Sequence, residues 1–417
     1  MNTLPTTLLC TVGTSLFFPN LNNLNPETQY KNEPKDTDLL GQADKEALSR
    51  YRLWTEQERL KKILKNIRTF YIQKEFSHLA NQLVLLPPEL RICGAEINSI
   101  EAMIRKKFLS EERKHRNRLM LLVSDTPDGE YIGTILKTYF VHKKCEIGFN
   151  ECEYLTVEGL QDEKPLFFQT KGLPNLVHHL GEQLRKWGNI AINATGGYKA
   201  QIALAVAFGQ ATRCPVFYKH ERFDQIIRFP KIPFTIDLSM VENHLKFWAD
   251  MADNTIKENE LNQMIPHDSD FKESFYPMLD SVEENGILYF SLSALGMVYW
   301  EAYLSSNPDI SIEPQKIIDK DRRGCNFPQH HYPINFKEYV QKVYDAFPEF
   351  ISECHSLDHD KQSAIKNRFN IKEKRIIAEY VDRNNFGARF GVMTSAVNTL
   401  ERDWIVKKLS EWLENNM

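Results

Sequence analysis

The stretch that most constrains the fold is 190–209, Ile-Ala-Ile-Asn-Ala-Thr-Gly-Gly-Tyr-Lys-Ala-Gln-Ile-Ala-Leu-Ala-Val-Ala-Phe-Gly. The apolar run 190–192 reads as the end of a buried strand. The chain then breaks into Asn193, Thr195, Gly196 and Gly197 and resumes as an Ala-rich helix with Lys199 and Gln201 in its first turn. Adjacent glycines let a strand-to-helix turn take positive φ and let a ligand come close to the backbone. The helix start behind them offers free N–H groups and a partial positive charge, which suits a phosphate. Lys199 adds a full charge, and Asn193 and Thr195 can bond a ribose or phosphate oxygen. A tight βα turn without any ligand fits the same residues.

A second stretch has the same form. Residues 7–12 are strand-like and end in Gly13, Thr14, Ser15 and Leu16. A third apolar run, 119–123, ends in Ser124, Asp125 and Thr126. In a doubly wound sheet, ligands lie outside the carboxyl ends of the strands, where such turns gather. These three strand ends, 11–16, 124–126 and 193–199, resemble those of the CARF (CRISPR-associated Rossmann-fold) family of type III CRISPR ancillary proteins, over residues 1–235. The resemblance implies a homodimer that binds a cyclic oligoadenylate, a ring of four or six AMP units, across its two-fold axis. It assigns the ring to Gly13, Thr14, Ser15, Asp125, Thr126, Asn193, Thr195, Gly196, Gly197 and Lys199.

The rest of the chain sets the surroundings. Periodic apolar residues predict a helix over 46–83, stopped by Pro87 and Pro88. A strand is predicted at 91–94, then a helix at 96–109. The bases of 106–118 read as a solvated helix face or loop, in preference to a nucleic-acid patch. Helices are expected at 131–140 and 173–187, a short strand at 153–157, and a closing hairpin from 215–218 and 226–229. This alternation predicts a Rossmann-like, three-layer α/β domain over 1–235. A formal net charge of −4 provides no global field for nucleic acid. The seven cysteines form no Cys-x-x-Cys pair, Cys145 and Cys152 being the nearest neighbours, as expected of reduced thiols in a cytoplasm. No apolar run approaches the ~20 residues a bilayer requires, and no signal peptide precedes the first strand. A cytoplasmic protein without a membrane partner is expected.

Pro230 and Pro233 close the first domain. Residues 236–308 are predicted to form a small helical, winged-helix-like linker: helical over 237–265, a helix at 275–282, a strand at 286–291 and a helix at 294–304. Residues 309–417 are predicted to form an α+β effector domain. Its expected order is a strand at 310–312, a loop rich in bases and histidines, helices at 335–344 and 348–369, and strands at 375–381, 388–395 and 404–409. That order is similar to the RelE-type ribonuclease toxins. The similarity implies metal-independent RNA cleavage by 2′-hydroxyl attack, with bases on the sheet stabilising the dianionic transition state, and the ribosome as a further partner. The candidates are Arg389, Arg375, Tyr380, Arg383, Arg402 and His330, with Lys372 and Lys374 nearby. Arg389, Gly391 and Met393 share one face by strand geometry. Taken singly, most of these bases also fit a solvated sheet face.

Other chemistries remain open. Arg323 and His330 have the spacing of the HEPN ribonuclease pair, although Gly324 and Pro328 forbid one helix from carrying both. Asp309, Glu313 and the Lys372-Glu-Lys374 run offer a fragment of a metal-dependent nuclease, with too few hard ligands for a metal. Cys325, His330, His331, Cys354, His355 and His359 lack a closed zinc arrangement. Neither cofactor nor metal is therefore expected beyond the activating ring. Together the two resemblances imply a type III CRISPR antiviral effector, a cyclic-oligoadenylate-activated ribonuclease. Two further readings are a ring nuclease using Thr14, Ser15 and Lys199, and a ligand-responsive nucleic-acid-binding regulator without catalysis.

Overall fold

The structure is a computed structural model that describes residues 4–142, 146–220, 225–233, 236–267, 269–357 and 366–416. Two compact units result, one of residues 1–240 with 267–306, the other of 241–266 with 307–417. Among the described residues no helix is long and apolar enough to cross a membrane.

The first unit is built on six strands: β1 (Thr7–Thr11), β2 (Arg118–Ser124), β3 (Glu151–Val157), β4 (Ile190–Asn193), β5 (Val216–Lys219) and β6 (Ile226–Arg228). They lie in the order β3-β2-β1-β4-β5-β6. The first five are parallel and β6 runs antiparallel to β5, the expected closing hairpin. From β1 the chain moves outward through β2 to β3, then returns to β4 on the other side of β1. The order therefore reverses between β1 and β4. Leu8, Leu9 and Cys10 are all fully buried, so consecutive residues, which point to opposite faces, are covered on both. At β1, in the middle of the sheet, a ligand can reach only the strand ends.

Helix Leu173–Trp187 falls where expected, and Pro127–Val141 extends the expected 131–140. The predicted strand at 91–94 is instead a turn of 3₁₀ helix, Arg91–Cys93, leading into helix Gly94–Arg105. Four residues are too few for periodicity to distinguish the two.

Residues 236–308 are divided between the units. Helix Ala294–Ser306 belongs to the first. Its Glu301 is fully buried against helix Leu173–Trp187, bonded to His178 Nδ1 at 2.8 Å and ion-paired with Arg185. Ahead of it, the predicted 275–282 helix is the end of a helix (Ser269–Phe275), a turn, and the strand Leu279–Glu284 of a hairpin with Ile287–Leu292. Residues 241–266 join the second unit, where Asp250 accepts from Asn398 Nδ2 at 2.6 Å.

The second unit has a five-stranded sheet in the order Gly324–Asn326, Ile351–Ser356, Gly387–Thr394, Arg375–Val381, Arg368–Lys372. Only the first pair is parallel. Helices Phe336–Ala346 and Thr399–Asn416 cover one face, over a core of Phe336, Val340, Ile376, Ala378, Phe390, Ile405 and Leu409. Three expectations fail here. Residues 310–312 are not a strand, the 348–369 helix is replaced by strand Ile351–Ser356 and the start of Arg368–Lys372, and the 404–409 strand is helix. Residues 358–365 of that predicted helix, with His359 and likewise Cys145, lie outside the described residues.

Candidate functional site

At the reversal of strand order the two glycine turns touch. The Thr11 hydroxyl donates to the Gly196 carbonyl at 2.6 Å, and a Cβ on Gly13 would stand 2.6 Å from the Gly197 nitrogen. A Cβ on Gly196 would strike the Glu96 carboxylate and lie 2.8 Å from the Thr11 carbonyl. Gly197 has φ +97°, a conformation L side chains rarely adopt. The glycines are thus required by contact between the turns themselves, before any ligand is considered.

The polar residues chosen from sequence divide into two sets. Asn193 is fully buried, donating to Ser99 Oγ at 2.7 Å and accepting from Thr195 Oγ1 at 2.6 Å. Thr195 also accepts from the Lys219 backbone N–H at 3.0 Å. Ser15 Oγ accepts from Ala95 N at 3.2 Å, and Asp125 accepts from Gly159 N at 3.1 Å, tying β2's end to β3's. Thr126 caps helix Pro127–Val141 through Gly129 N at 3.1 Å. These groups hold the loops. Thr14 and Lys199 are exposed on the two sides of the reversal, and Lys199 has no ion-pair partner among the described residues. Beside it, burial and the Asp162 carboxylate push the Tyr198 phenol up to about 12.

Glu96 is the residue that sequence reasoning missed. It is fully buried at the start of helix Gly94–Arg105 and accepts from Gly13 N at 2.8 Å, while its second oxygen has no hydrogen-bond partner. Burial pushes its carboxyl from 4.5 up to about 7, opposed by the Gly13 N–H. The available signal was a carboxylate in phase with the buried Ser99 and Met103 on one helix face.

The helix start carrying Glu96, the strand end carrying Asp125 and the glycine elbow fall within one matched segment. Residues 91–232 match the model of a CRISPR-associated protein family, Cas_APE2256. The match spans less than half of the chain and supports a CRISPR-associated protein. No curated protein matches the sequence.

In the second unit, the sheet face away from the helices is open. Register places Arg368, Asn370 and Lys372, then Arg375 and Glu379, then Arg389, Gly391 and Met393, then Glu353 and His355 on that face. Glu379 is clamped between Arg389 at 3.2 Å and Arg368 at 2.5 Å. The His355 imidazole lies against Gly391, 2.6 Å from where a Cβ would stand, and has no hydrogen-bond partner among the described residues. With Asn326, Pro328, Glu353, Ser356 and Met393 it lines a hollow of about 310 Å³. In sequence His355 stands only in the cysteine and histidine set that lacks a zinc arrangement, within the predicted helix 348–369.

The other candidates stand elsewhere. Tyr380 is on the covered side, its ring 4.8 Å from that of Tyr339 and its hydroxyl donating to the Ile334 carbonyl at 2.7 Å. Arg402 is buried in helix Thr399–Asn416, paired with Asp253 at 3.4 Å. His330 lies in the loop after strand Gly324–Asn326, its ring 6.5 Å from Tyr332. Arg323 precedes that strand, 3.9 Å from Glu353, so neither member of the HEPN-like pair is on a helix.

Proposed function

We propose that this chain is a ligand-gated effector of CRISPR defence: a CARF-type sensor for cyclic oligoadenylate in the first unit and a metal-independent, RelE-type ribonuclease in the second. The observation that carries the reading is the glycine elbow at the reversal of strand order, whose exposed Lys199 lies inside the segment that matches a CRISPR-associated family and whose neighbouring β1 turn, outside that segment, adds the exposed Thr14. A helix N-terminus with a lysine in its first turn suits a ring phosphate. Ile202, Leu204 and Val206 of the Ala-rich helix Lys199–Ala211 are only half-buried, a surface a second copy would cover. Two copies would present the ring with symmetric cradles.

On the open sheet face, His355 takes the proton of a ribose 2′-hydroxyl, and O2′ bonds to the adjacent phosphorus. Arg389 and Arg375 stabilise the dianionic transition state, and the P–O5′ bond breaks as water gives O5′ a proton, leaving a 2′,3′-cyclic phosphate and a 5′-hydroxyl. Gating requires the ring to bind the cutting arrangement better than the idle one.

Titrating tetra- and hexa-adenylate rings into the purified protein tests both halves. One ring should raise the melting temperature and switch on RNA cleavage. Lys199→Ala should abolish both effects. His355→Ala should keep the thermal shift and lose about 10²–10⁴ in cleavage rate. Indifference to every ring at high micromolar concentration overturns the sensor, and full cleavage by His355→Ala overturns the assigned base.

A further inference from the structure

A cavity of about 900 Å³ opens in the second unit on the helix-covered side of its sheet, away from the open face. Its wall is aromatic. Tyr339 lies 4.8 Å from Tyr380 and 6.2 Å from Trp412, centroid to centroid, and all three rings are partly exposed. Lys342 and Arg383 stand at its edge, exposed and without ion-pair partners among the described residues. The Tyr339 hydroxyl is buried and makes no hydrogen bond there. The Asn384 side chain adds an exposed amide.

Two carboxylates also line the cavity, and they differ. Asp382 accepts from the backbone N–H groups of Ile334, Asn384 and Phe386 at 3.0, 2.8 and 3.0 Å, so its charge is spent on the turn. Asp345 accepts only from the Gln341 amide, at 3.1 Å, and can also take a ribose hydroxyl or an exocyclic base amine. Flat rings for a base, two cations for a phosphate and a carboxylate for a ribose hydroxyl or base amine describe one ligand chemistry. We propose that this cavity binds a nucleoside monophosphate unit, its base on Tyr339, Tyr380 and Trp412 and its phosphate on Lys342 and Arg383. The site stands on the geometry of the second unit and holds whether or not the first unit senses adenylate rings.

The test is calorimetry on the full chain carrying Lys199→Ala, which removes the sensor elbow from the readout. The probes are AMP, GMP, CMP and UMP, with ribose 5-phosphate lacking the base and adenosine lacking the phosphate. At least one monophosphate should bind about tenfold or more tightly than either fragment, and Lys342→Ala/Arg383→Ala should weaken it at least about tenfold with no change in melting temperature. Tyr339→Phe, which keeps the ring, should weaken it less. A short single-stranded RNA that displaces the monophosphate identifies a strand as the source, and one that does not identifies the free nucleotide. Either result is consistent with the site. Absence of binding at millimolar monophosphate, or affinity unchanged in the double variant, overturns it.

Discussion

The two sheets of this protein expose their chemistry in different places. The central strands β1 and β4 of the first unit's sheet are buried on both faces, so functional groups there are confined to one end, where the β1 and β4 turns meet. The largely antiparallel sheet of the second unit is covered on one face only, and its other face carries a line of arginines with His355. A doubly covered sheet fixes a site through backbone turns, in which a misplaced atom disturbs the fold. A one-sided sheet carries side chains that can change with little structural consequence. Substitutions at the elbow should therefore cost stability, and substitutions on the open face should cost only activity.

The largest effect we expect is in the covered core beneath the open face. Phe390 is fully buried there, and Phe390→Ala should destabilise the second unit by about 3–5 kcal/mol in urea melts while ring binding persists. Loss of both together would show that the units do not behave separately.

Next is the proton on Glu96. Its carboxyl titrates near 4.5 when unfolded and about 7 when folded. Below pH 4.5 it is neutral in both states, and folding pays nothing for burying it. As pH rises above 4.5 the unfolded state loses its proton first, so stability falls until the folded state follows near 7 and then levels off. The total loss is about 3 kcal/mol, on the order of one pKa unit per 1.4 kcal/mol. Glu96→Gln should flatten that slope between pH 4.5 and 7 in the difference between variant and parent. An unchanged slope would assign the pH dependence to another group.

Gly13→Ala drives a Cβ into the Gly197 nitrogen and should cost about 1–3 kcal/mol. Its counterpart on the open face is Arg375→Ala, which should leave stability within about 0.5 kcal/mol and slow RNA cleavage. If the two variants are equally destabilising, the contrast between the sheets fails.

Where an element announces itself locally, the sequence was a good guide. The strand, glycines and helix of 190–209 are contiguous, and the elbow was legible from them. The roles within it were not. Asn193 and Thr195 look like ligand groups in sequence, yet their partners are Ser99 and Lys219, which only folding brings near. In the second unit, strand Ile351–Ser356 buries Ile351 and Cys354 because a bulge falls between Ile351 and Glu353. A bulge inserts a residue and replaces the alternation of a strand with a three-residue spacing, which reads as helix. Trp404, Ile405 and Val406 mislead in the opposite sense, since three bulky apolar residues in a row favour a strand locally while helix Thr399–Asn416 buries Ile405 and Leu409.

By itself, then, the chain determined the α/β character of its first unit and the glycine elbow, because hydrophobic spacing and turn chemistry act between near neighbours. Tertiary structure alone decided that Glu96 lies under the elbow, that His355 shares a face with Arg389, and that Tyr380 and Arg402 do not. Those placements depend on strand register and on helix docking between segments far apart in sequence, and no local pattern encodes either.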